Sequence, residues 1–393
     1  MDPVLNPYQP GAGRRPPELA GRDDFLSDVR TAMRRMTHGT GDRGRVLHGL
    51  RGVGKTVLLT EFYATALRHQ WIAAMIEASP ERDPVRDIAR TLHRSLRDVQ
   101  GRPSAEPLLR RAIAAFKAFT LRVDPGGAYS FSVEVDPARG IADTGDFATD
   151  LGDLLEELGR AANDLGVGVM LLIDEMQALP EPTITGLNQA VHRLGQGYAP
   201  LPVMVIGAGL PSLPGTLAAV TTYAERLFEY RPVGALSAQG AADALLLPSA
   251  NLGVEWEPEA AQTALDAAMG YPFAVQECGR FVWDYATANP ISLADAREGV
   301  ARARAEMDSG IYLSRWTRAT PAQREVMRVI AEYGENAAVP VGEVATTLGK
   351  RTQGVSMARN ELIKKGLVYS PDRGLLAFTI PGMADYVRRL PET

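Results

Sequence analysis

The sequence has little cysteine and histidine and no long apolar run. The 393-residue chain has one cysteine, Cys278, which excludes an internal disulfide, and none of its five histidines stands in the spacing of zinc ligands. Its longest apolar candidate, VMLLI, is strand-sized and far shorter than the roughly 18–20 residues that cross a bilayer. The first residues lack the apolar centre and cleavage site of a signal peptide. We therefore expect a cytoplasmic protein that does not contact a membrane.

The charge is also low and unevenly distributed. The net charge of −5 argues against a protein that coats nucleic acid. From Ala319 onward ten Lys and Arg face eight Asp and Glu, or +2, whereas the remainder carries 32 against 39, or −7. Only the C-terminal part is therefore mildly basic. With 45% hydrophobic and 23% charged residues, the length predicts two or three globular domains.

A glycine-rich motif predicts a nucleotide site. The stretch GLRGVGKTV fits G-x-x-x-x-G-K-[ST], follows an apolar strand at 45–49 and begins a helical segment. Its glycines turn successive N–H groups towards phosphate oxygens, and the helix dipole acts on the same oxygens. The alternative is a glycine turn with a solvated lysine, which the flanking strand and helix disfavour. The predicted nucleotide-binding residues here are Gly49, Leu50, Arg51, Gly52, Val53, Gly54, Lys55, Thr56 and Val57.

Two carboxylates and an arginine are candidates for the chemistry of hydrolysis. Asp174 and Glu175 follow a buried strand, where Asp174 and Thr56 are predicted to hold Mg²⁺ and Glu175 to orient the attacking water. The alternative is a polar turn that ends the strand. Arg226 is suited to reach the γ-phosphate of a neighbouring subunit in a homo-oligomer, or to pair with Glu225 or Glu229 on its own surface. Both interpretations of Arg226 stay open.

Strands and helices alternate through the first half of the chain. Apolar strands at 45–49, 71–78 and 202–209, and the strand before Asp174, predict a parallel α/β sheet with helices on both faces. Residues 116–137 alternate around Asp-Pro-Gly-Gly and predict a hairpin within an insertion at 98–145. The sequence therefore predicts four parts. They are an N-terminal arm (1–22), a P-loop core that carries the insertion (23–236), a helical lid with its linker (237–318) and a winged helix (319–393).

The C-terminal part is predicted to be a winged helix. Three helical segments are followed by two strands around a Pro-Asp-Arg-Gly turn, and 350–352 form the turn between the second and third helices. Val355, Leu362 and Ile363 are expected to face its core. Exposed polar and basic residues are then predicted to contact duplex DNA: Lys350, Arg351, Gln353, Arg359, Asn360, Lys364 and Arg373. The alternative is a protein-contact or autoinhibitory module.

Together these motifs resemble AAA+-type P-loop ATPases, in the branch shared by origin-recognition ATPases and STAND switch ATPases. The matching stretches are PPELAGRDDFL, GLRGVGKT, LLIDE, VIGAGLP, YAERLF and GYPFAVQ, and the likeness covers nearly the whole chain. It implies ATP or ADP with Mg²⁺ as cofactors. It also implies that the segment with Glu18, Leu19, Gly21 and Arg22 lies against the adenine, and that Tyr271 and Pro272 cover the nucleotide from the lid.

The sequence departs from this family at two places. The end of the 203–207 strand, where the family has a polar sensor residue, reads Gly207-Ala208-Gly209. The lid has Gly270-Tyr271-Pro272 in place of the G-D-x-R arginine of initiators. We therefore expect a slow ATPase switch that couples nucleotide state to a DNA-binding winged helix. The alternative is a STAND-like signalling ATPase whose winged helix contacts protein.

Overall fold

The fold has three clusters of buried apolar side chains along one chain. The structure, a computed structural model, describes residues 1–11, 13–102, 105–132, 134–196 and 200–391. One cluster surrounds a parallel sheet, a second lies among the helices after residue 237, and a third lies in the C-terminal part. No helix in these ranges is long and apolar enough to cross a membrane.

The first cluster is built on five parallel strands in the order β2-β3-β4-β1-β5. The strands are β1 Gly44–His48, β2 Ile72–Glu77, β3 Val169–Asp174, β4 Val203–Gly209 and β5 Phe228–Pro232. Every residue of β3 is buried, as expected for a central parallel strand with helices on both faces. The predicted parallel α/β sheet is confirmed. Because the strands run in one direction, the residues that follow β1 and β3 meet at the same edge.

Helices cover both faces of this sheet. They are α1 Asp23–Thr37, α2 Lys55–Arg68, α3 Pro84–Gln100, α4 Glu106–Val123, α5 Phe147–Asp164, α6 Glu181–Leu194, α7 Leu213–Val220 and α8 Ala224–Leu227. Side-chain caps fix two of their starts: Asp83 accepts from the N–H groups of Val85 and Arg86, and Asp146 accepts from that of Thr149. The order and spacing of these elements bring the loop before α2 next to the end of β3.

The predicted hairpin at 116–137 is wrong. Residues up to Val123 belong to α4, and no strand occurs in 124–132 or 134–146; Val133 lies outside the described residues. The apolar residues of this stretch follow a helical period, since Ala112, Phe116 and Phe119 are all fully buried on one face. The alternation of apolar and polar residues around Asp124 covers too few residues to distinguish a strand from the end of a helix.

The second cluster is all-helical, as predicted from 237 to 307. Its helices are α9 Ala238–Ala250, α10 Pro258–Ala268, α11 Pro272–Tyr285 and α12 Leu293–Met307. The N-terminal arm supplies Tyr8 to this cluster, and its hydroxyl donates to the carbonyl of Leu245. Tyr8 fits because Gly279 has no side chain: a Cβ there would overlap the tyrosine ring. The start of the arm therefore packs on the helical lid.

The C-terminal part follows a turn of π-helix at 308–312 and a short helix, α13 Leu313–Arg318. Its elements are α14 Pro321–Glu332, β6 Val339–Pro340, α15 Val341–Thr347, α16 Thr352–Lys364, β7 Val368–Tyr369, β8 Leu375–Phe378 and α17 Met383–Arg389. The strands form an antiparallel sheet in the order β6-β8-β7. Val355 and Leu362 are buried and Ile363 packs against the same cluster, as expected from the sequence.

Candidate functional site

A cavity of about 770 Å³ lies where the three clusters meet. Its walls come from the glycine loop, the end of β3, the N-terminal arm, the lid and the segment that enters the C-terminal part. Fourteen of the predicted nucleotide, metal and catalytic residues line it: Glu18, Leu19, Arg22, Arg51, Gly52, Val53, Gly54, Lys55, Thr56, Val57, Asp174, Glu175, Tyr271 and Pro272. The structure thus brings together residues that are far apart in sequence.

The glycine loop has the backbone that an anion site requires. Gly52 and Gly54 have φ of +84° and +94°, values that glycine adopts without strain. Gly49 does not line the cavity; it packs so closely on the carbonyl of Val233 that a Cβ would overlap that oxygen. Leu50 does not line the cavity either, but its carbonyl accepts a hydrogen bond from Lys55. The loop leads directly into α2, whose first N–H groups face the same space.

Lys55 lies folded back into this loop. Its Nζ donates to the carbonyl oxygens of Gly49 and Leu50, both at 2.8 Å. Only 7% of the residue is exposed, and this burial lowers the pKa of Lys55 to about 8, although the carboxylates of Glu175 and Asp174 act against the shift. A buried ammonium held by two carbonyls is incompletely compensated, so an anion entering the loop would stabilise its charge.

Thr56 and Asp174, the residues predicted to hold Mg²⁺, lie in contact with each other. The Thr56 hydroxyl donates to the Asp174 carboxylate at 2.6 Å. Burial raises the pKa of Asp174, opposed by the hydrogen bonds from Thr56 and from the backbone N–H of Glu175. No cluster of three or more acidic, His or Cys ligands occurs in the described ranges. A hydroxyl and one carboxylate still fit Mg²⁺, because this ion takes few protein ligands and completes its shell with water and phosphate.

Glu175 is held in an unusual backbone conformation. Its φ of +48° and ψ of 39° are left-handed, a conformation that costs a non-glycine residue about 1–3 kcal/mol. Arg51 pairs with its carboxylate at 3.3 Å, and the amide of Gln177 donates to the same group. Gln177 in turn accepts from the N–H of Leu210 just after β4. Two side chains thus orient the proposed water-positioning carboxylate.

The residues expected near the base come from the arm and the lid. Arg22 is buried, and its guanidinium donates to the carbonyls of Val53 and Gly234 at 3.0 and 2.6 Å. Burial lowers the pKa of Arg22. Gly21 does not line the cavity: its φ is +66° and it packs on Gly240 of α9. Tyr271 and Pro272 begin α11, and the Tyr271 hydroxyl donates to Asn336 of the C-terminal part.

Arg226 lies apart from this cavity. It is exposed on α8 and forms no ion pair with Glu225 or Glu229 in the part of the chain that the structure describes. Glu229 instead pairs with Arg45 and Arg231. The surface ion pair considered for Arg226 is therefore not formed, and its contact with a neighbouring subunit stays a prediction.

The residues predicted to contact DNA lie on and around α16. Lys350 pairs with Glu325 at 2.9 Å, whereas Arg359 is half-buried and its Nε has no hydrogen-bond partner among the described residues. Met357, on the same helix, is 80% exposed. The remaining predicted residues are exposed: Arg351, Gln353, Asn360, Lys364 and Arg373. The surface thus offers cations together with an apolar side chain.

Several residues at the cavity were not predicted from the sequence. Glu77 ends β2, beside Asp174 in the sheet, and Arg315 lies on α13. Gln177 contacts Glu175 but not the cavity. The strand end gives a local signal for Glu77, as it does for Asp174. No local signal marks Arg315, because only the path of the chain between lid and C-terminal part brings it here.

Comparison with known proteins agrees with this geometry. Residues 18–206 match the family model described as "AAA ATPase domain", and residues 309–387 match "Domain of unknown function (DUF8462)". No curated protein matches the chain.

Solved structures share the fold. The Walker-type ATPase PABY2304 of Pyrococcus abyssi is 15% identical with a TM-score of 0.55, over 98% of this chain and 99% of that one. The ORC2 protein of Aeropyrum pernix, with ADPNP and ADP, is 14% identical with a TM-score of 0.54, over 96% of each chain. Its ADP form gives 14% and 0.51, over 96% and 95%. Residues 18–206 thus match an AAA ATPase domain, and the chain shares the fold of these solved Walker-type and ORC2 structures.

Proposed function

We propose that this chain is a slow ATP-hydrolysing switch that couples its nucleotide state to a DNA-binding winged helix. The proposed parts are an arm (1–22), a P-loop core (23–236), a lid with its linker (237–318) and a winged helix (319–393). The observation that carries the proposal is that the glycine loop, the two carboxylates, the lid and the C-terminal segment all line the same cavity. A ligand that contacts all of these elements can bias their relative positions.

In the proposed mechanism Lys55 leaves the carbonyls of Gly49 and Leu50 and binds the β- and γ-phosphates. Thr56 and Asp174 would hold Mg²⁺, which would supply positive charge beside the phosphates. Glu175 orients the attacking water, and Gln177 fixes the carboxylate that does so. Arg226 of a neighbouring copy is proposed to act on the γ-phosphate, which would tie turnover to oligomerisation.

Phosphate release by the purified chain tests the enzymatic part. We expect slow release that depends on Mg²⁺ and that falls by at least about a hundredfold in Glu175→Gln. The matched control is Glu332→Gln, because Glu332 is exposed at the end of α14 and does not line the cavity. Equal rates for Glu175→Gln and the parent would remove Glu175 from the chemistry.

Retention on duplex DNA tests the output. We expect retention that depends on bound nucleotide and weakens steeply with salt, and that is reduced in Arg351→Ala and Lys364→Ala. No retention at low salt with ATP, with ADP or without nucleotide would reject the DNA-binding part. The ATPase part would stand.

A second candidate function is a STAND-like switch whose winged helix is autoinhibitory. The observation in its favour is that the C-terminal part contacts the glycine loop itself: the N–H of Arg51 donates to the carbonyl of Thr379 at 2.9 Å. The exposed Met357 also suits a protein partner. This alternative predicts copurified ADP, no DNA retention, and larger oligomers with ATP than with ADP, which gel filtration would measure.

A further inference from the structure

Arg315 lines the cavity but comes from neither the P-loop core nor the lid. It lies on α13, three residues after the π-helical turn that follows the last helix of the lid. Its guanidinium is half-buried, and Nη1 donates to the carbonyl of Ile311 at 3.2 Å, within its own segment. This contact satisfies one of the five N–H donors of Arg315. The other donors form no hydrogen bond with the described residues.

The charges that act on Arg315 are cationic. Burial lowers the pKa of Arg315, and Arg51 and Arg318 lower it further, opposed only by the Tyr312 phenol. Within the described ranges no carboxylate forms an ion pair with Arg315. Half-buried guanidinium groups repel one another unless an anion lies between them, so their proximity at a cavity indicates an anionic ligand.

Arg51, in the glycine loop, also lines the cavity and shows the same deficit. Its Nε is buried and has no hydrogen-bond partner among the described residues. Its terminal nitrogens contact the Glu175 carboxylate at 3.3 and 3.4 Å, distances longer than those of well-formed charged hydrogen bonds. Arg51 is thus incompletely paired and faces Glu175, the carboxylate proposed to stand at the far end of the phosphate chain.

We propose that Arg315 binds the terminal phosphate of ATP together with Arg51, and so makes the linker to the C-terminal part a sensor of the third phosphate. This rests on the proposed ATPase function. In the geometry described, a γ-phosphate replaces the Glu175 carboxylate as the anion beside Arg51, which frees Glu175 to orient water. Because Arg315 is only three residues from the end of α13, its contact with phosphate also pulls on the start of the C-terminal part. ADP lacks the phosphate that makes this contact.

The test is the affinity of the full chain for Mg²⁺·AMP-PNP and for Mg²⁺·ADP, measured by calorimetry. We expect Arg315→Ala to weaken AMP-PNP binding about ten- to hundredfold, the range of a charged hydrogen bond, and to weaken ADP binding by less than about threefold. Arg315→Lys keeps the charge without the planar fork and should restore part of the loss. The matched control is Arg302→Ala, because Arg302 is exposed on α12, pairs with Glu298 and does not line the cavity.

The possible outcomes separate this inference from the function on which it rests. Equal loss of affinity for both nucleotides in Arg315→Ala, or no loss for either, overturns the role of Arg315, while binding by the parent chain upholds the nucleotide site on which the ATPase proposal depends. A parent chain that binds neither nucleotide overturns both. Circular dichroism checks the fold of each variant; if Arg315→Ala does not fold, Arg315→Lys decides, and it must then weaken AMP-PNP more than ADP.

Discussion

The buried ammonium of Lys55 should make nucleotide affinity depend on pH in an unusual range. In the free chain, burial lowers the pKa of Lys55 from the ordinary 10.5 to about 8. The phosphates of a bound nucleotide supply the compensating charge and should restore a pKa at or above the ordinary value. Binding therefore takes up a proton whenever the pH lies above about 8, and affinity must fall as the pH rises.

The size of this effect follows from the two pKa values. If the bound lysine regains its ordinary pKa, proton linkage weakens binding about twentyfold between about pH 7.5 and pH 9.5. The same shift means that burying the charge costs the free chain about 3 kcal/mol of folding free energy. Below about pH 8 both folded and unfolded chains are protonated and this cost is present in full. It is lost as the pH rises from about 8 to 10.5, where the folded chain releases its proton first.

Lysine-selective ¹³C labelling measures the titration directly, because the chain has only five lysines. We expect one ε-carbon resonance to move around pH 8 in the free protein, to be absent in Lys55→Met, and to stop moving in this range when Mg²⁺·AMP-PNP is added. Calorimetry across the same pH range should give the predicted loss of affinity. Lys364→Met is the control, since Lys364 is exposed on α16 and should leave both results unchanged. An affinity that is flat with pH would refute the linkage.

Three further substitutions test separate parts of the structure. Gln177→Ala should lower kcat roughly tenfold with little change in KM, because Gln177 orients Glu175 without lining the cavity; equal changes in both constants would contradict this. Gly279→Ala should cost about 1–3 kcal/mol by displacing Tyr8, seen as a lower Tm and faster proteolysis of the arm, whereas Gly215→Ala, with open space around it, should do neither. Phe116→Ala should cost about 3–5 kcal/mol in urea unfolding, since Phe116 is fully buried beside the rings of His93, Tyr129 and Phe131; a cost below about 1 kcal/mol would argue against α4 as part of the core.

Sequence patterns predicted the parts of the site that depend on local chemistry. A glycine loop before a lysine and a helix needs particular residues at fixed spacing, so the sequence predicted Arg51 to Val57, which line the cavity, and the buried strand β3 ends recognisably at Asp174. The hairpin at 116–137 was predicted wrongly because a short window around Asp124 cannot distinguish alternation from one face of a helix. Arg315 and Tyr8 were missed for another reason: their neighbours are set by how the clusters pack, which no nearby residue records.

The missing polar sensor at the end of β4 has a physical explanation in the same packing. A Cβ at Gly207 would overlap the sulfur of Met176, and one at Gly209 would overlap the amide oxygen of Gln177. The strand is therefore glycine here because the turn after Glu175 occupies the space that a sensor side chain would fill.

The turn after Glu175 also places a polar group, the amide of Gln177, at the end of β4. The Gln177 amide accepts from the Leu210 N–H just after β4 and donates to the Glu175 carboxylate. The end of β4 is therefore linked to the proposed catalytic carboxylate through Gln177, which lies in the loop after β3. Because Gln177 is held by both Leu210 and Glu175, its amide is less free to turn towards a phosphate than an unpaired sensor side chain would be. Slow turnover is then the expected consequence of the ion pair between Glu175 and Arg51, and separation of that pair becomes the step that nucleotide must drive.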